Sequence, residues 1–341
     1  MRRRDLIVGG LLATSFASRA LAQPKGRVRQ LFLIGHAWSD RVTANPGLPR
    51  WSVFLNELRH HGYTAGVNLA VSWREGVEDW GPPRDEWAEV MDDIRRLSPD
   101  VIVTTSHGWA RALNAVIGTV PIVVSALSPI EQEVISSLTR ASGNITGIAI
   151  DFGPDFYSKQ LDLLLEAAPK VSHVAFLGSE RAYRGMRQLW REANQRGVSI
   201  QEFLYSDNYE ALFGAMVREG ATAVLILADA KQIGHADRIA RLTRQYRLPL
   251  MSPFRRLTEA GGLMSYGLDW SGVDRGLAVY TARVLRGTKP SELPFEQPSR
   301  YELVLNLQTA DDLGLTLPNS LMAFADDMLE RDRSPKSSRV P

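Results

Sequence analysis

Short apolar runs alternate with amphipathic helical stretches along most of the chain, and few folds accept that pattern. The first series of runs is Gln30–Gly35, Asn68–Trp73, Asp100–Thr105, Pro121–Ala126 and Ile145–Ile150. The second is His173–Gly178, Ser199–Tyr205, Ala223–Ala228, Pro249–Ser252 and Leu263–Tyr266. None alternates strictly between apolar and polar, as suits strands covered on both faces of a parallel sheet. Between them, Trp51, Phe54, Leu55 and Leu58 follow the i, i+3, i+4, i+7 spacing of a helix face. Trp87, Val90, Met91 and Ile94 do the same, as do Leu161, Leu164, Leu165 and Ala168, and these stripes read as core. Strand–helix alternation with short loops predicts an α/β fold with right-handed crossovers. The series restarts after Gly153-Pro154, and its strands exceed one ordinary sheet of about five or six strands. The expectation is therefore two doubly wound Rossmann-like lobes with a hinge there, with a (β/α)₈ barrel as the rival.

The start of the chain reads as an export signal. Met1–Asp5 is a cationic stretch, Leu6–Phe16 is apolar or small, and Ala20-Leu21-Ala22 offers a small-x-small cleavage site before Gln23. Arg3-Arg4-Asp5-Leu6-Ile7 resembles a twin-arginine leader; an ordinary secretory leader is the alternative. Residues 1–22 form the expected signal peptide, cleaved near Ala22, and the mature protein is expected in the periplasm. The chain has no cysteine, which excludes disulfides, thiolate metal sites and a cysteine nucleophile, and leaves no residue for a lipid anchor. Arg2, Arg3, Arg4 and Arg19 against Asp5 concentrate a net +3 in the leader, so the rest of the +2 chain carries −1. That balance lacks the basic footprint of nucleic-acid binding. No later run reaches the roughly 20 apolar residues of a membrane span, so no membrane insertion is expected. The polar stretch 331–341 reads as a disordered tail.

Catalytic motifs are missing where they would be sought. The first strand is followed by Gly35-His36-Ala37-Trp38 and not by G-x-G-x-x-G, and the chain contains no phosphate loop, H-E-x-x-H or G-x-S-x-G elbow. Ser106 and His107 are adjacent, a poor arrangement for a nucleophile and its base. His60 and His61 precede Gly62 at a helix end, where imidazoles cap carbonyls. In open parallel sheets ligands bind beyond the strand carboxyl ends. Reading those ends yields the candidate site residues Trp38, Ser106, His107, Ser125, Ser128, Phe152, Ser179, Asp229, Arg255 and Tyr266. Hydroxyls, single charges and aromatics dominate, which is an inventory for binding. We expect no enzyme activity, cofactor or metal.

Glu259-Ala260-Gly261-Gly262-Leu263-Met264-Ser265-Tyr266-Gly267 is distinctive, together with Gly143-Asn144-Ile145-Thr146-Gly147. So is the run from Gln297-Pro298 through Tyr301–Leu307 to Thr309-Ala310, continued by Leu313-Gly314-Leu315-Thr316-Leu317-Pro318 and Ser320-Leu321. With these motifs the chain, from about Val28 to Glu330, resembles the ABC transporter substrate-binding family that includes the tryptophan-transport binding proteins. The resemblance implies a type I periplasmic binding fold, in which two lobes joined by three crossovers close on a solute held in the inter-lobe cleft. It implies a third crossover near Gly267–Asp269, a helix around Val273–Arg286 returning to the first lobe, and Tyr301–Leu307 in the second. The expected N-terminal lobe is 28–149 plus 268–292, and the C-terminal lobe 150–267 plus 293–330. The implied partners are a small-molecule ligand and an ABC permease, with the binding protein a monomer. A receptor-coupled sensor and, less so, a secreted α/β hydrolase are the alternatives. The chain departs from the family pattern at Ser128-Pro129-Ile130, Leu227-Ala228-Asp229-Ala230 and Pro253-Phe254-Arg255-Arg256.

The ring-bearing residues near strand ends hint at ligand class. Trp38, Trp109, Trp270, Phe152, Phe254 and Tyr266 offer stacking surfaces. Ser106, Ser125, Ser128 and Arg255 offer donors to a carboxylate, and Asp229 an acceptor for an amine. A small carboxylate with an apolar or aromatic body fits that set, although half of these rings serve equally well as packing.

Overall fold

Buried β-branched runs pair in the order that the crossovers allow. In the computed structural model, which describes residues 27–36, 49–76, 84–127, 143–180, 182–183, 186–228 and 231–330, the first five strands form one parallel sheet. They are β1 (Arg29–His36), β2 (Leu69–Gly76), β3 (Val101–Thr104), β4 (Ile122–Leu127) and β5 (Ile145–Ile150), in the order β2-β1-β3-β4-β5. The second series is β6 (His173–Gly178), β7 (Ser199–Leu204), β8 (Ala223–Ile226), β9 (Leu250–Ser252) and β10 (Met264–Leu268). It repeats the winding as β7-β6-β8-β9-β10. Two strands extend this sheet: β11 (Tyr301–Asn306), antiparallel to β10, and β12 (Asp327–Leu329), parallel to β11. Two separate sheets exclude the barrel.

The predicted helical stripes are the buried faces. In α1 (Pro49–His60), Trp51, Phe54 and Leu58 are fully buried, and the Trp51 and Phe54 rings meet edge to face at 5.3 Å. Val90 and Ile94 of α2 (Arg84–Leu97) pack with Trp109 and Leu113 of α3 (His107–Val116) on the opposite face of the first sheet. Leu161 and Leu164 of α4 (Pro154–Ala167) enter the main cluster of the second lobe. One expectation changes at the end of α1. Gly62, at φ +91°, closes the helix, with the Tyr63 N–H donating to the Leu58 carbonyl at 2.9 Å and the Gly62 N–H to that of Arg59 at 3.0 Å. His60 and His61 lie 3.5 and 3.3 Å from the Glu57 carboxylate, and it is the backbone that caps the helix end.

Three segments carry the chain between lobes. The first runs from Ile150 to Pro154, and the second, Leu268–Trp270, opens α10 (Trp270–Leu285), which packs against α1, β3, β4 and β5. Along the chain this is the second crossing and not the third. The last connection follows a 3₁₀ turn (Pro290–Glu292). The segment expected to change lobes at residue 293 stays against β5 as far as Glu296. Thr146 Oγ1 donates to the Leu293 carbonyl at 2.7 Å, and the Ala149 N–H to that of Glu296 at 2.8 Å. Gln297 to Arg300 then lead into β11.

Candidate functional site

In each sheet the strand order reverses at a switch point, between β1 and β3 in one lobe and between β6 and β8 in the other. Ligands of doubly wound sheets bind outside the carboxyl ends at such points. On the first lobe, Ser106 follows β3 and caps α3, its Oγ accepting the Trp109 N–H at 3.3 Å. Ser106 and His107 are both buried. Ser125 is buried inside β4, on the same side as Val123 by strand alternation. On the second lobe, Ser179 follows β6, and its Oγ accepts the Ala182 N–H at 3.4 Å. Arg255 opens α9 (Arg255–Glu259; α5 to α8 are Arg187–Gln195, Tyr209–Arg218, Lys231–Gly234 and Ala236–Gln245). Its guanidinium donates to Glu259 at 2.8 Å and to Asp327 of β12. Those bonds, Glu259 foremost, hold its pKa above the ordinary guanidinium value and occupy donors that a ligand carboxylate would need. Trp38, Ser128 and Asp229 lie outside the described residues.

Phe152 and Tyr266 are brought together, through a ring that sequence reasoning did not select. Phe156, in the first turn of α4, has its ring centroid 4.5 Å from Phe152, 5.2 Å from Tyr157, 5.5 Å from Tyr301 and 5.8 Å from Tyr266. Tyr266 and Tyr301 stack at 5.5 Å with 19° between planes. They reach each other diagonally across the β10–β11 ladder, in which Leu268 pairs with Tyr301. Gln160 Nε2 donates to the Tyr266 carbonyl at 2.6 Å and ties β10 to α4. Phe152 and Tyr301 each pack against the main clusters of both lobes. The array therefore sits where the chain crosses between lobes. Burial raises the pKa of both Tyr266 and Tyr301; the neighbouring phenol adds to the first, and the Asp151 carboxylate to the second.

Beside the array is a cavity of about 130 Å³, walled by Ala149, Asp151, Leu268, Gln297, Pro298 and Tyr301. Asp151, Leu268, and Gln297 with Pro298 come one from each connection, and Ala149 and Tyr301 from the strands that flank them. Other rings from the sequence inventory serve packing instead. Trp109 is fully buried against Trp87 at 6.1 Å, while Phe254 is buried and stacks on Trp270 at 6.5 Å. The signal for Phe156 was present as Phe152-x-x-x-Phe156, one helical turn across a Gly-Pro start. Tyr301 had no local signal, since it opens a strand that only the family resemblance assigned.

Two doubly wound lobes joined by three connections, with an aromatic array and a cavity at the crossing, have the architecture of the type I periplasmic binding fold. The chain belongs to the ABC transporter substrate binding protein family, whose model matches residues 52–329. It is similar to the tyrosine-binding protein of Clostridioides difficile (strain R20291), 18% identical over 299 residues, covering 84% of this chain and 81% of that one. Its fold is similar to that of a conserved domain protein from Vibrio cholerae, with a TM-score of 0.74 and 20% identity over 89% of this chain and 100% of the other. It is equally similar to an ABC domain from Streptococcus pneumoniae in complex with L-Trp, with a TM-score of 0.74, 18% identity, and 88% and 99% coverage. Proteins of this family bind small-molecule solutes and work with ABC permeases, and solute binding is the function of this chain. No helix among the described residues is long and apolar enough to cross a membrane.

Proposed function

We propose that the protein is exported to the periplasm, loses residues 1–22, and captures a small carboxylate with an aromatic or apolar body by closing its lobes. The observation that carries this reading is the array of Phe152, Phe156, Tyr266 and Tyr301 at the inter-lobe connections. Well-placed ring pairs contribute about 0.5–1.5 kcal/mol beyond area burial, so such an array rewards a flat apolar ligand. The named ligands of two relatives, tyrosine and L-Trp, support the same class. The two lobes turn about the connections as units, with residues 293–296 moving with the first lobe to which they are bonded, and the monomer presents its closed form to the permease. Closure follows only if the ligand binds the closed form more tightly than the open one. The role is capture without turnover.

A thermal-shift screen of aromatic amino acids and aromatic acids on mature protein tests the ligand class. A ligand at ~100 times its Kd that binds only the folded state adds about 2.7 kcal/mol of stability. Tyr266→Ala is expected to weaken that ligand at least tenfold, about 1.4 kcal/mol. A sugar as the tightest binder, with Tyr266→Ala binding normally, refutes this class. Export has its own readout: mass spectrometry of periplasmic protein is expected to find an N-terminus at or near Gln23. Changing Arg3 and Arg4 to lysine blocks export if the twin-arginine route is used, and unchanged export assigns the general route.

A further inference from the structure

Resting on the reading above, we infer that Asp151, in the wall of the hinge cavity, makes this protein select solutes that carry a cationic amine. Asp151 follows β5 directly, is exposed, and lines the cavity opposite residues of the other two connections. Two other aspartates of this region have cations: Asp269 of the second connection lies 3.1 Å from Arg275, and Asp327 of β12 pairs with Arg255. Asp151 has no hydrogen bond or ion pair among the described residues. Its chain neighbour Phe152 belongs to the ring array, and Tyr301 belongs to both the array and the cavity wall. A ligand whose ring lies on the array therefore has the Asp151 carboxylate within the same wall, through its neighbours Phe152 and Tyr301. The Tyr301 ring offers that ammonium a cation–π face as well.

Selectivity follows from the cost of closure without the amine. Shutting the lobes over a ligand withdraws the Asp151 carboxylate from water, and an unpaired buried charge is far more costly than a paired one. A solute of the same ring and carboxylate but no amine leaves Asp151 stranded, so the protein rejects it as well as favouring the amino acid. This assigns amine recognition to the first connection.

The test is calorimetric titration of mature wild-type and Asp151→Asn protein with two matched pairs: L-tryptophan and indole-3-propionate, and L-phenylalanine and 3-phenylpropionate. Wild type is expected to prefer the better-bound amino acid over its amine-free partner at least tenfold, as the loss of a hydrogen bond to a charged group implies. Asp151→Asn should lose at least tenfold for the amino acid while binding the amine-free acid as well as wild type or better. Its unliganded melting temperature should be unchanged, because the side chain is exposed. If an amine-free acid binds wild type as tightly as its amino acid, or Asp151→Asn keeps the preference, this inference fails while the aromatic-ligand reading stands. If no member of either pair binds wild type, both fail together.

Discussion

Gly267→Ala is expected to destabilise the second lobe by about 3 kcal/mol or more, near the upper end of overpacking costs. A Cβ at Gly267 would lie 1.9 Å from the Pro253 carbonyl oxygen and 2.7 Å from its carbon. Both are backbone atoms, so no side-chain rotamer relieves the clash, and β10 must move away from the end of β9. Because Gly267 stands between Tyr266 and the crossing at Leu268, the same displacement shifts the stacked tyrosines. Urea unfolding should show a lowered midpoint with an unchanged slope. Gly118→Ala is the control, since nothing lies within 4 Å of a Cβ added there. Equal midpoints for the two variants would show that the close approach at Gly267 does not exist in solution.

Phe156→Ala is expected to cost about 3–5 kcal/mol, the range for removing a buried phenylalanine ring. The ring is 9% exposed and touches four other aromatics, so its loss opens a cavity at the centre of the hinge array. Leucine at this position keeps most of the volume and should limit the loss to about 1.5 kcal/mol. Both variants should bind an aromatic ligand more weakly, the leucine variant despite its near-normal stability. An alanine variant within 1 kcal/mol of wild type, judged against the core range for such truncations, would mean that the array is not a packed unit.

Much of the fold is written locally. Ile145–Ile150 and His173–Gly178 form strands with the predicted ends, because continuous apolar runs bounded by polar turns leave little choice of register. Other ends move for identifiable reasons. Asp100 leaves the expected third strand because its carboxylate accepts the Gln30 N–H and the Arg29 guanidinium, which fixes it as a turn residue. Ala228 leaves the expected eighth strand because its N–H donates to the Tyr157 hydroxyl. The second tyrosine strand and the short Asp327–Leu329 edge had no period to reveal them. They exist only because β10 offers an edge, which is a tertiary fact.

The site was less legible, for a geometric reason. Strand ends can be read from sequence, but the direction of a ring in the following helical turn cannot. Trp109 and Phe254 follow strand ends as Phe152 does, yet both turn inward to the core. Arg255 reads as a free cation until Asp327, seventy-two residues away, comes alongside it. Phe156 and Tyr301, at the centre of the array, follow no strand end and drew no selection. Asp151 was visible as a strand-end residue, but its role depends on the cavity built from the other two connections.

The central claim is capture by closure of two lobes about three connections, and small-angle X-ray scattering tests it directly. Mature protein is measured alone and with a saturating concentration of the tightest ligand from the aromatic screen. The account predicts a smaller radius of gyration with ligand, and a smaller change for Phe156→Leu at the same ligand concentration. A ligand that binds tightly and stabilises the fold yet leaves the radius of gyration of the wild type unchanged would contradict it.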